Sequence, residues 1–335
     1  MSKLLKLRKA LEKKNITTEM NEPTQWVSTG NAALNYRLTG NVDTGLCNKR
    51  TLLLWGESGS GKTFISANIS KNVQDLGYVI VYLDSENSIS EDYMLKIGID
   101  LSPEKFIPIN VATIEQAIVA VAEVFAAFDK DEKFILVIDS LAGLLSEKEA
   151  DEFNKGTSKG DMGQLAKKLK LFVKNMNNKI SEYDAFCVMV THAYQNQDLL
   201  NGEGKWICTG GKGMQFFPSF SIKMEKAKLK EGGETLEGVR MKCEVTKTRF
   251  TAPFQKCVLH VPYETGIEFE DGLIEILEES GAVTRNGGWY SYELNGDVVK
   301  FQKSKLKEHL DNLMNTGVEL KNDLIEGEDL IPVVE

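Results

Sequence analysis

Between Arg50 and Val190 the chain repeats one pattern, in which short apolar runs alternate with amphipathic stretches of helical length. "TLLLW" passes through a glycine-rich turn into "KTFISANISKNVQDLG" and then "YVIVYLD". "IEQAIVAVAEVFAAF" precedes "FILVID", and "MGQLAKKLKLFVKNMNNKI" precedes "AFCVMV". Near-continuous Val, Ile and Leu suit strands buried on both faces, and helices between them make the neighbours parallel by crossover. The expected fold is an α/β core: a mostly parallel central sheet with helices on both faces. After Phe216 the style changes to "SFSIKMEKA", "VRMKCEVTKTRF" and "KCVLHVPY". The turn "KEGGE" between the first two predicts an antiparallel hairpin.

Outside this core, Leu4, Leu7 and Leu11 recur at helical spacing among lysines. They predict a short amphipathic helix, separated from the body by the polar linker "NITTEMNEPTQ". Such a helix either packs on its own domain or serves as an arm on a neighbouring subunit. From about residue 270, "GLIEILEESG", "GGWYSYELNG" and a lysine-rich helix suggest a small α/β domain. The expected boundaries are 1–26 for helix and linker, 27–269 for the core, 270–320 for the small domain and 321–335 for an acidic, mobile tail.

No apolar run approaches the roughly 18 residues of a membrane span, and the basic N-terminus lacks the apolar core of a secretory signal. The five cysteines, Cys47, Cys187, Cys208, Cys243 and Cys257, show no CxxC spacing. They read as buried free thiols in a reducing cytoplasm. The formal net charge of −9 over 335 residues excludes a protein that coats DNA with its whole surface, but not one with a local basic groove.

"GESGSGKT" places Gly56, Glu57, Ser58, Gly59, Ser60, Gly61, Lys62 and Thr63 between a buried strand and a helix, the context a phosphate-binding loop requires. Glycines let backbone N–H groups curl around phosphate oxygens, and the helix N-terminus adds its positive end. Lys62 would reach the β- and γ-phosphates of ATP, and Thr63 would ligate Mg²⁺. "FILVIDS" delivers Asp139 to the carboxyl edge of the sheet as the second metal carboxylate. Ser140 would bond the metal's water shell or cap the next helix. "VIVYLDSE" ends with Asp84 and Glu86 on the same side of a strand, so spacing leaves both as candidates to polarise the attacking water.

"GESGSGKT", "YLDSEN", "FILVIDS", a loop ending "TGGKGMQFF" and "VTKTRFTAPF" follow one another in an order that resembles the RecA recombinases. "VTHAYQNQ" looks most like their phage branch, the UvsX type. The resemblance runs from about Val27 to Lys305 and includes "GGWYSY". It implies ATP with Mg²⁺, and Glu86 rather than Asp84 as the general base. It also implies Tyr93 stacked on adenine, Phe64 within the nucleotide site, and Lys247 with Arg249 reaching a neighbouring subunit's γ-phosphate. Trans-acting cations of this kind are worth roughly 10³–10⁵ in rate in other phosphoryl-transfer systems. His192 stands where cellular RecA proteins carry glutamine and the phage branch carries histidine; either side chain can donate a hydrogen bond to phosphate, so an ATP-sensing role survives.

Two loops would line the axis of a RecA-type helical filament, Glu149–Gly163 and Thr191–Gly213. They carry Lys155, Lys159, Lys205 and Lys212, with Trp206 as a flat apolar group and Gly210 and Gly211 as hinges, and Phe216 follows the second loop as a further DNA contact. The expected function is a cytoplasmic, DNA-dependent ATPase coupled to strand exchange between single- and double-stranded DNA. A loader and a single-strand-binding protein would assist it. The alternatives are a RecA-fold hexameric helicase and a non-hydrolysing mediator.

Overall fold

The computed structural model describes residues 2–14, 20–157, 162–195, 206–229 and 238–315. Helix α1 (Lys3–Glu12) comes first. The short antiparallel strands β1 (Trp26–Val27) and β2 (Leu46–Cys47) bracket α2 (Ala32–Thr39). The alternating region follows as β3 (Thr51–Gly56), α3 (Lys62–Asp75), β4 (Val79–Asp84), α4 (Glu91–Ile97), β5 (Phe106–Asn110) and α5 (Ile114–Ala127). It continues through β6 (Phe134–Asp139), α6 (Glu147–Asn154), α7 (Met162–Ile180) and β7 (Ala185–Gln195). Then come β8 (Trp206–Cys208), β9 (Phe220–Leu229), β10 (Gly238–Lys247) and β11 (Gln255–Pro262). The chain ends in α8 (Leu273–Glu279), β12 (Thr284–Asn286), β13 (Trp289–Leu294), β14 (Asp297–Gln302) and α9 (Leu306–Asn315).

The central sheet has the order β11-β10-β9-β3-β7-β6-β4-β5, with β8 paired to β7 off that path. Strands β9, β3, β7, β6, β4 and β5 run parallel. Strands β9, β10 and β11 alternate in direction, as the hairpin expectation required. Period-two alternation sends successive residues to opposite faces. Leu52, Leu54, Ile80, Tyr82, Ile135 and Val137 pack with Ile65, Ile69 and Val73 of α3 on one side. Leu53, Trp55, Val81, Leu83, Leu136 and Ile138 pack with Val121 and Phe125 of α5 and Phe172 and Val173 of α7 on the other. This explains why the strand sequences read as unbroken apolar runs.

A third cluster joins Leu273, Ile274 and Leu277 of α8 to Tyr290, Tyr292 and Phe301 of the antiparallel β12-β13-β14 sheet. Asn31 ties it to α2, since its Nδ2 donates to the carbonyls of Glu268 (3.0 Å) and Asp271 (2.8 Å). Helix α1 buries no residue, and Leu4 and Leu7 stand 77% and 56% exposed. Cys47, Cys187, Cys208 and Cys243 are buried and Cys257 is half-buried, all as free thiols.

The structure shortens both expected loops. The Glu149–Gly163 segment begins inside α6, because Ser146 and Glu149 close a capping box that satisfies the helix N-terminus. The Thr191–Gly213 segment is a β-ribbon at its root: β7 runs on to Gln195, which pairs with Trp206 of β8. Among the described residues no helix is long and apolar enough to cross a membrane.

Candidate active site

Parallel strands bring their carboxyl ends to one edge. In register, Gly56 pairs with His192 and Asp84 with Asp139, so the ends of β3, β7, β4 and β6 meet there. A cleft of about 560 Å³ opens at this edge, lined among others by Lys62, Thr63, Glu86, Tyr93, Asp139 and His192.

The glycine-rich loop Gly56–Thr63 needs its glycines for space as well as curvature. A Cβ on Gly56 would lie 1.9 Å from the Met224 carbonyl oxygen of β9. At Gly61, where φ is +88°, it would lie 2.3 Å from Cε of Met241. Gly61 also leaves α3 without a side-chain cap, so the first-turn N–H groups remain available to an anion. Ser58 and Gly59 are exposed at the crest, Glu57 is half-buried and Ser60 is fully buried. Lys62 is only 4% exposed. Its Nζ donates to the carbonyls of Gly56 (3.1 Å) and Glu57 (2.7 Å). Burial pushes its pKa down to about 8, against the opposing pull of Asp139, Glu86 and Glu57.

Asp139 is 2% exposed, and the Tyr82 hydroxyl donates to its Oδ2 at 2.9 Å. Burial raises this carboxyl; hydrogen bonds from Thr63 and Tyr82 pull it back, and the like charges of Glu86 and Asp84 push it up again. A hard cation would relieve both the burial and the repulsion. Thr63 beside Asp139 is a donor pair of the right oxygen chemistry for Mg²⁺.

The structure separates the two acids that spacing could not. Asp84 accepts the backbone N–H groups of Glu86 (2.9 Å), Ser88 (3.1 Å) and Ile89 (3.4 Å), so its carboxylate organises the following loop. Glu86 faces the cleft, bonded by the Ser140 hydroxyl and by His192 Nε2 at 2.9 Å. Burial works to raise its pKa, but the bonds from Ser140 and His192 and the charge of Lys62 prevail and hold it below the ordinary value. The Ser140 hydroxyl is thus directed at Glu86, and it also accepts the Gly143 N–H at 3.3 Å. It caps no helix; α6 is capped by Ser146.

His192 also links the cleft to the ribbon beyond it. Its carbonyl accepts the Thr209 N–H at 2.9 Å, where β8 turns through Gly210 (φ +85°) and Gly211 (φ +82°). Trp206 is half-buried against the cluster of α5 and α7, whereas Phe216 is 71% exposed. Lys155 is exposed, and the backbone of Lys212 begins a short turn through Gln215. Lys159 and Lys205 lie outside the described residues.

Lys247 and Arg249 stand away from their own chain's cleft. Lys247 pairs with Ser221, and Ser221 with Leu53, about 10 Å back along the strands from Gly56. Lys247 Nζ donates to the Phe216 carbonyl, and burial and the Arg249 charge lower its pKa. Arg249 is exposed.

The far wall of the cleft is apolar. Phe64 and Tyr93 line the cleft together with Val239, Val261, Tyr263 and Gly266, and burial with the Asp139 charge pushes the Tyr93 hydroxyl up to about 12. The β10–β11 residues of this wall carry no motif. Their only sequence signal is strand alternation, which shows burial but not a shared cleft.

A phosphate loop at the head of a parallel sheet, continued by antiparallel strands on one side, defines an α/β core of the RecA type. Residues 4–268 match the family described as the RecA N-terminal domain, and the chain belongs to that family. Protein RecA of Streptomyces coelicolor is 26% identical over 305 residues, covering 91% of this chain and 76% of the relative. Protein RecA of Chlorobaculum tepidum is 28% identical over 311 residues, covering 90% and 84%. Protein RecA of Ruminococcus albus is 27% identical over 269 residues, covering 80% and 64%.

Proposed function

We propose that this protein is an ATP-dependent strand-exchange recombinase that forms helical filaments on single-stranded DNA and hydrolyses ATP between subunits. The observation that carries this is the chain of bonds from Glu86 through His192 to Thr209. It joins the acid best placed for hydrolysis to the root of a ribbon that continues to the exposed Phe216.

In this reading Lys62 and the uncapped N-terminus of α3 hold the triphosphate, with Gly56–Thr63 wrapped around it. Tyr93 and Phe64 receive the adenine against the β10–β11 wall. Thr63 and Asp139 would hold Mg²⁺, which would supply positive charge against the charge that develops on the phosphates. Glu86 orients a water and accepts its proton as the oxygen attacks the γ-phosphorus, giving ADP and phosphate. Ser140 and His192 keep Glu86 ionised and aimed. Lys247 and Arg249, remote from their own cleft, suit the γ-phosphate of a neighbouring subunit, and the exposed α1 suits an arm that helps to polymerise the filament.

Lys155, Lys159, Lys205 and Lys212 would contact the DNA backbone. Phe216 and Trp206 would supply apolar contact, so recognition of single strands and incoming duplex is largely independent of sequence. The boundaries proposed for the domains remain 1–26, 27–269, 270–320 and 321–335. His192 supports placement in the phage UvsX branch, acting in a host cytoplasm with a loader and a single-strand-binding protein.

The test is ATP turnover with and without single-stranded DNA, then joint-molecule formation. Stimulated turnover and joint molecules are expected, with extended filaments by electron microscopy in a non-hydrolysable ATP analogue. Closed hexamers would instead favour a ring-shaped motor, and no turnover at saturating DNA and Mg²⁺ would favour a mediator.

A further inference from the structure

Strand β9 overshoots its neighbour. Gly56 is the last residue of β3 and pairs with Met224, so β9 continues past the edge where the phosphate loop begins. Two residues on, with side-chain parity restored to the α3 face, stands Lys226. Its cross-strand partner on β10 is Met241, the residue whose methyl group occupies the space beside Gly61. The pair therefore roofs the phosphate loop, methionine over Gly61 and lysine over Gly59, where a Cβ would lie 2.7 Å from the lysine Nζ.

Lys226 is bonded to the loop at two points. Its backbone N–H donates to Glu57 Oε1 at 3.1 Å, and its Nζ donates to the Ser58 carbonyl at 2.9 Å. The first bond fixes the Glu57 side chain against β9; the second fixes a peptide at the crest of the loop. A carbonyl held by an ammonium fixes the orientation of its peptide, and with it the N–H groups on which binding of a phosphate depends. The ammonium also lies within electrostatic reach of Lys62. Two cations thus converge on one loop, an arrangement unfavourable when the cleft holds no anion and relieved when a polyanion enters.

We propose that Lys226 is a positioning residue for the nucleotide: it pins the phosphate loop to β9 in its phosphate-receptive shape and adds a second cation to the rim of the cleft. The inference rests on the reading of this cleft as an ATP site. It also gives β9, which follows the Phe216 segment, a direct mechanical hold on the loop. The ligand class it serves is a nucleoside triphosphate, since a bare nucleoside would gain nothing from either effect.

The experiment measures ATP hydrolysis and binding of a fluorescent ATP analogue by the full chain, beside Lys226→Met, Lys226→Arg and the control Lys242→Met. Lys242 is exposed on β10 and carries the same charge. Loss of a charge-assisted bond is expected to raise KM and Kd roughly tenfold in Lys226→Met, with a smaller fall in kcat. Lys226→Arg should recover most of the loss, and Lys242→Met should leave both constants unchanged. Should Lys226→Met fold poorly by circular dichroism, Lys226→Gln replaces it in the same comparison. Unchanged KM and Kd in Lys226→Met, while the unsubstituted chain binds ATP normally, would overturn the role of Lys226 alone. Failure of the unsubstituted chain to bind the analogue would overturn the ATP reading itself.

Discussion

Nε2 of His192 lies 2.9 Å from Oε1 of Glu86, and the Ser140 hydroxyl donates to the same oxygen. A carboxylate with two donors on one oxygen is held ionised and keeps its other oxygen for a water. The same histidine carries the root of the ribbon on its carbonyl. The ribbon root and the Glu86 contact thus share one residue.

That relationship has a pH signature. Because these bonds stabilise the ionised form, the folded pKa of Glu86 lies below its ordinary value, and activity should fall only as pH drops through that depressed value. Ser140→Ala removes one bond and should move the acid limb of kcat/KM to higher pH. An acid limb that stays in place would mean that another group sets it.

Lys62 has the opposite sign. Its folded pKa of about 8 lies below the ordinary 10.5, so between these values the unfolded chain binds a proton that the folded chain does not. Stability of the nucleotide-free protein should therefore rise with pH across that window through this group, and Lys62→Met should abolish that contribution. ATP favours the protonated amine, so binding near pH 8.5 should take up a proton, read by calorimetry in buffers of different ionisation enthalpy.

Gly56→Ala tests the closeness of β3 to β9. The added methyl would lie 1.9 Å from the Met224 carbonyl oxygen, and backbone cannot rotate away as a side chain can. A loss of about 2–4 kcal/mol in chemical denaturation is expected, with weakened ATP binding.

The trans-acting assignment is tested by Lys247→Ala combined with Arg249→Ala. DNA-stimulated hydrolysis should be nearly abolished while circular dichroism stays that of the unsubstituted protein. Near-normal stimulated turnover would remove the assignment.

Trp206 in the second loop and Phe216 just after it should behave differently. Trp206 is half-buried against the core, so Trp206→Ala should cost about 1–3 kcal/mol of stability as well as any DNA affinity. Phe216 is 71% exposed, so Phe216→Ala should change stability by less than about 0.5 kcal/mol and act mainly on DNA binding, read by fluorescence anisotropy with a labelled oligonucleotide.

Much of the architecture was legible because parallel strands buried on both faces must be apolar throughout, and helices between them must be amphipathic. The glycine-rich turn at Gly56–Thr63 was legible because consecutive residues in one local shape make it. Asp139 was legible too, since a strand end in a parallel sheet has only one edge to reach. By itself, then, the sequence determined the layered α/β core, the glycine-rich turn between β3 and α3 and the edge of the sheet at which Asp139 emerges. Tertiary structure decided what depends on residues far apart in the chain. It set Asp84 to holding a loop and Glu86 to facing the cleft, because the choice lies in which backbone N–H groups curl back. It drew Trp206 onto the core through pairing with Gln195, built the apolar wall from β10 and β11, and carried Lys226 over the phosphate loop by letting β9 outrun β3. Register and strand length are settled by the packing of the whole sheet, and no local pattern encodes them.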